Sequence, residues 1–229
     1  MNTFWAQFPQ GDCMPKCGCE ILGSGLIMQP LGFWSSLAYG ICGIILYRRI
    51  QQHSLKLKIF VGLLFYLCVS SMFAHASYLK IALAMDFSSI IVLISFFPAY
   101  SFLVLLKRTP GQIIFWLSAY VMSLVAILYF ISGWPRITIC LLIFLFALGD
   151  LFRERRNQLL GPRSRSFWLF LSIMFLSFCA FVVDTTHYIC HPTGWIHGHE
   201  FWHCGTALGT YYFGRWRFHL ERNPRSSAS

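Results

Sequence analysis

Long apolar runs separated by short, mostly basic connections set the pattern of this chain. Seven runs can be delimited, at 33–47, 57–77, 82–106, 112–131, 136–150, 167–189 and 196–214. Each lies near the ~20 residues that cross a bilayer core as a helix, the first and fifth being short. The connections are too brief to hold a separate domain. The pattern therefore predicts an all-α integral membrane protein, a bundle of seven transmembrane helices over 33–214. A polar outer segment, 1–32, precedes it and a basic tail, 215–229, follows. Residues 1–30 lack the basic start and apolar run of a cleavable signal peptide.

Composition agrees with this reading. The chain is 57% hydrophobic and only 11% charged, against roughly 25% charged residues in a soluble domain. The net charge of +10 raises the question of a nucleic-acid partner, but its placement answers it. Of the 18 basic residues, all but Lys16, Lys80 and Arg136 fall on one side of the predicted bundle. They are Arg48, Arg49, Lys56 and Lys58, then Lys107 and Arg108, then the arginines of 153–165, and last those of the tail. By the positive-inside rule the N-terminus is outside and the C-terminus cytoplasmic. The charge is a topology signal that also meets anionic lipid heads, so no nucleic-acid partner is expected.

The ionisable residues inside the runs are His75, Asp86, Asp184, His187, His197, His199, Glu200 and His203. With that topology all of them sit in the outer third of the bilayer. Polar groups inside a membrane are expensive and usually functional, and random placement would scatter them between both leaflets. His199 and His203 are four apart, on one face of a helix, the spacing with which two imidazoles grip one zinc ion. Ser71 and His75 share a face in the same way, and Asp86 enters about one turn deep in the third run.

A catalytic zinc site has three protein ligands and an open position. His75, His199 and His203 supply three imidazoles from two helices, and the metal would activate a water. Asp86 is the candidate proton carrier, and Ser71 the candidate donor to the oxyanion. Asp184 and His187, three apart, are candidates to orient a ligand imidazole from behind. Glu200 makes residues 199–203 read H-E-x-x-H, as in zinc peptidases, and competes with Asp86 for the role of base. Asp86 is preferred because it comes from a separate helix, whereas Glu200 is rotated about 100° from His199.

The set S-x-x-x-H late in the second run, an aspartate eleven residues on, and H-x-x-x-H early in the seventh resembles the alkaline ceramidases. These belong to the CREST group of seven-helix membrane hydrolases. The run Cys19-Glu20, then Gln29-Pro30 and Trp34-Ser35-Ser36-Leu37, is also similar to the entry of that family's first helix. The resemblance implies Zn2+ on His75, His199 and His203, with Asp86 and Ser71 around the water, and a ceramide-like membrane lipid cut at its amide. The animal enzymes carry an acidic Ca2+-binding cluster before the first helix. Here Asp12 and Glu20 are the only carboxylates there and Gln29 stands where an acid is expected. Hard cations want several oxygen ligands, so Ca2+ is not carried over.

Two other functions compete. A membrane zinc peptidase on His199, Glu200 and His203 needs a third ligand, and downstream only His219 and Glu221 remain, about 24 Å along a helix. It would have to borrow His75 or Asp86. A non-catalytic heptahelical receptor would hold the metal structurally. On the oxidising outer face Cys13, Cys17 and Cys19 read as disulfide formers, and Cys19 is expected to pair with Cys190. Compact loops and short tails point to a bacterial inner membrane, with the site toward the outer face. Oligomeric state is not legible in the sequence.

Overall fold

A computed structural model describes residues 4–11, 19–50, 54–131, 134–155, 165–188 and 197–222. Among these residues eight α-helices follow one another: α1 (Pro30–Ser35), α2 (Leu37–Arg49), α3 (Leu55–Ser77), α4 (Lys80–Leu105), α5 (Pro110–Phe130), α6 (Trp134–Arg155), α7 (Arg165–Thr185) and α8 (Gly198–Arg222). Among the described residues there is no strand, only an isolated bridge between Gln10 and Leu79. Among the described residues five stretches are long and apolar enough to cross a membrane: Pro30–Arg49, Leu55–Ser77, Lys80–Leu105, Pro110–Phe130 and Arg165–Thr185. The chain is a multi-pass helical membrane protein.

Local chemistry sets the helix ends. The Ser54 hydroxyl accepts from the Leu57 N–H and starts α3. Thr109 and Gln112 cap each other reciprocally at the start of α5, where Pro110 occupies the first turn, a position that needs no N–H donor. At the end of α3, Tyr78 takes a left-handed backbone with φ 55° and turns the chain into α4.

Three of the boundaries that differ from the apolar pattern have a visible local reason. The first helical stretch begins at Pro30 and not at 33, because proline suits the first turn whatever its hydropathy. The seventh apolar run ends at 214, but α8 continues to Arg222, so the tail begins as helix. Trp216 packs on Phe167 with ring centres 4.9 Å apart, and Phe218 reaches Phe60 and Phe97. Between them Arg217 is buried. In the other direction α7 stops at Thr185, short of 189, and His187 stands exposed in a turn with φ 55°.

Helix α3 runs through the middle, packed on α2 and α4, while α8 packs on α2 and most extensively on α7. Glycines permit that last contact: a Cβ at Gly205 would overlap the Ser177 hydroxyl, and one at Gly198 the Ala180 carbonyl. Small residues at such places let membrane helices approach closely. The main core cluster centres on Phe60, fully buried against Phe96, Phe97 and Phe218 at 5.3–5.8 Å between rings. The N-terminal segment lies over the opposite end. Gly11 donates to the Tyr78 carbonyl and Lys80 to that of Pro9, and Trp5 Nε1 donates to Leu26 O at 2.8 Å.

Truncating the core ring tests this packing. Phe60→Ala should cost on the order of 3 kcal/mol through the cavity it leaves. Unfolding equilibria in mixed detergent micelles against wild type would measure it.

Candidate metal centre

The three predicted ligands meet. One ligand nitrogen each from His75, His199 and His203 falls in a group whose members all lie within 4.8 Å of one another. The ring centres form a near-equilateral triangle: His75 to His199 4.9 Å, His75 to His203 4.9 Å, His199 to His203 4.7 Å. His75 comes from the last turns of α3, and the other two, one turn apart, from the first turns of α8.

What aims these rings is the segment before and within α1. Met28 donates to the Ala76 carbonyl and Gln29 to that of His75, so the chain runs alongside the end of α3. Nδ1–H of His75 donates to Gln29 Oε1 at 2.7 Å. The Gln29 amide nitrogen is occupied by the Tyr78 hydroxyl, which leaves its oxygen for the imidazole. Gly32 then presses against the ring: a Cβ there would stand 2.6 Å from Nδ1. Ser35 Oγ accepts from Nδ1 of His203 at 2.8 Å while donating to the Gly32 carbonyl at 3.1 Å. With Nδ1 taken outward on two rings, Nε2 of each is left for the centre, as second-shell partners commonly arrange. Tyr39 adds a wall, its ring 5.9 Å from His203 and its hydroxyl 2.7 Å from Thr206.

The donor set fits a metal. Three imidazoles, two buried and that of His199 half-buried, bring ligand nitrogens together, and imidazole suits zinc, copper, iron and nickel. A group of this kind could hold a metal ion; the geometry alone does not choose among these.

Asp86 and Ser71 stand together beside the rings. The Ser71 side chain neighbours the Asp86 carboxylate, and Ser36 Oγ lies 3.1 Å from Ser71 Oγ and 3.4 Å from His203 Nδ1. Oδ1 of Asp86 is buried with no hydrogen-bond partner among the described residues.

The remaining candidates serve the frame. Oε2 of Glu200 accepts from the His197 N–H at 2.8 Å and lies 3.5 Å from His197 Nδ1. It is the third residue of α8 reaching back to the residue before the helix, half of a capping box. Asp184 is buried and Oδ2 accepts from the Cys19 N–H at 3.1 Å, so it ties down the N-terminal segment. Asp184 also acts on His199 electrostatically, though no imidazole donates to it among the described hydrogen bonds. His187, exposed beyond the end of α7, is not brought to the rings. Cys19 is disulfide-bonded; Cys190, its expected partner, lies outside the described residues, as do Cys13 and Cys17. Glu20 binds the start of α1, Oε1 to the Leu31 N–H at 2.8 Å and Oε2 to the Gly32 N–H at 3.1 Å. Burial pushes its carboxyl above the usual range, against the pull of those two donors.

Residues Gln29 and Ser35 were not assigned roles from the sequence, and only their contacts reveal them. Gln29→Leu and Ser35→Ala should each weaken metal binding roughly 10–100-fold, and His199→Ala should abolish it. Competition titration with a chromophoric chelator on purified protein measures all three. No family model and no curated protein matches the chain, so its function has to be argued from this geometry.

Proposed function

We propose that the protein is a zinc-dependent membrane amidase that cleaves the amide bond of ceramide-like lipids. The observation that carries the reading is the triangle of His75, His199 and His203 with the unpartnered Oδ1 of Asp86 beside it. A zinc ion held there would supply Lewis acidity and lower the pKa of a water to about 7. The amide class and the ceramide-like lipid rest on the resemblance of the motif set. A polar site enclosed by apolar helices supports a substrate that is itself a lipid.

The chain's own groups divide the work. Oδ1 of Asp86, with Ser71 beside the carboxylate, takes a proton from the attacking water. The same Oδ1 then delivers that proton to the amide nitrogen as the carbon–nitrogen bond breaks, releasing a fatty acid and an amine. Gln29 and Ser35 keep Nδ1 protonated on His75 and His203, so both rings present Nε2. The peptidase reading is weaker, because Glu200 is engaged with His197 at the start of α8.

The fuller topology belongs to the same proposal: seven spans, with α6 and α8 as the two more polar ones, and the histidines toward the outer face. The basic residues then mark the cytoplasmic side, in a bacterial inner membrane. A reporter fused at the C-terminus should read as cytoplasmic and one at the N-terminus as external. The reverse would move the histidines to the inner leaflet.

Turnover of a fluorescent ceramide tests the proton carrier at equal zinc occupancy. Asp86→Asn should lower the rate roughly 10²–10⁴-fold, while Glu200→Gln should keep most of it. Activity surviving Asp86→Asn and lost in Glu200→Gln would reverse the assignment in favour of the peptidase-like motif.

A further inference from the structure

Helices α2 and α8 run side by side in the same direction, toward the basic end. Their contacts advance together along both. The Tyr39 and Thr206 hydroxyls meet at 2.7 Å, and further on Leu46 lies against Gly214, where a Cβ would stand 2.7 Å from Leu46 Cδ2. Cys42 and Cys204 are near enough to act on each other electrostatically. Two turns on from each of them, Arg49 Nη1 donates to the Tyr211 hydroxyl at 3.2 Å. Ile45, one turn before Arg49, and Leu208, one turn before Tyr211, are both exposed. The two helices thus leave a shallow apolar groove on the outside of the bundle, and Arg49 stands at its basic end.

Arg215 shares that end. It is one turn beyond Tyr211 and two turns beyond Leu208, on the same side of α8, and like Arg49 it is exposed. Among the described residues neither guanidinium meets a carboxylate. The Tyr211 hydroxyl takes one N–H of Arg49, which holds the planar fork in place and leaves its other donors facing outward. Two like charges set at one end of an apolar groove are offset by an anion that both can reach. The guanidinium fork matches phosphate. The exposed aliphatic side chains leading to it match a lipid tail and not a free ion.

We propose that this end of the groove binds one anionic phospholipid, with its phosphate between Arg49 and Arg215 and an acyl chain along Ile45 and Leu208. Basic pockets between membrane helices take anionic headgroups by the same chemistry, and the leaflet beside basic loops is the one that carries them. No histidine takes part, and neither does Asp86 or Ser71. The site therefore stands apart from the amidase reading and does not depend on it.

Native mass spectrometry of the purified full-length protein, titrated in nonionic detergent with dioleoyl phosphatidylglycerol, tests the proposal. One tightly held phosphatidylglycerol per chain is expected, bound at least about tenfold more strongly than dioleoyl phosphatidylcholine. Arg49→Gln and Arg215→Gln should each weaken it at least about fivefold, the share of one arginine at a lipid surface. Arg108→Gln removes an exposed charge from the turn between α4 and α5 and should change the affinity by less than about twofold. Excess inorganic phosphate should leave the lipid bound. His199→Ala should lose metal and keep the lipid. Should Arg49→Gln not fold, as judged by size exclusion and circular dichroism, the exposed Arg215→Gln and the phosphatidylcholine comparison decide. Equal binding of phosphatidylcholine, displacement by inorganic phosphate, undiminished affinity in a folded arginine variant of the pair, an equal loss in Arg108→Gln, or loss of the lipid in His199→Ala would each overturn the proposal.

Discussion

Three imidazoles pressed together inside an apolar bundle are the constraint that the rest of the structure answers. Away from water, each polar atom without a partner costs several kcal/mol. His75 and His203 turn Nδ1 outward to Gln29 and Ser35, which settles those atoms and leaves the inward nitrogens facing one another. Lone pairs that converge at 4.7–4.9 Å between ring centres are satisfied by a cation between them and by little else. Gly32 follows from the same demand, since a side chain there would push His75 out of place.

The N-terminal segment is thereby part of the centre and not a loose extension. Asp184 anchors it at Cys19, Glu20 holds the first turn of α1, and Gln29 and Ser35 complete the ring contacts. These links join residues up to 168 positions apart, so the centre forms only when both ends of the chain have docked. Glu200 plays a related part by closing the start of α8, which sets the direction in which His199 and His203 project. At the other end of the bundle the demands are different. There Phe60 and its neighbours fill the core, and the buried Arg217 borders a hollow that the aromatic packing leaves open.

The helical membrane class and the three histidines were legible in the sequence because both depend on local spacing. Apolar runs of about 20 residues read directly as helices, and residues four apart share a face wherever the helix lies. Helix ends were less legible. The helix α8 runs past the last apolar residue because Trp216 and Phe218 find aromatic partners on α7 and α3, which hydropathy along the chain does not register. His187 looked paired with Asp184 on a helix that in fact ends at Thr185. Gln29 is the sharpest case: it read as a missing acid, and only the fold shows its oxygen at His75.

The central claim is that His75, His199 and His203 hold one metal ion. X-ray absorption at the zinc edge on the purified protein tests it most directly. The account predicts a four-coordinate centre with three imidazole nitrogens at ~2.0–2.1 Å and one further oxygen. A sulfur shell near ~2.3 Å, or a spectrum that shows no imidazole scattering, would contradict it.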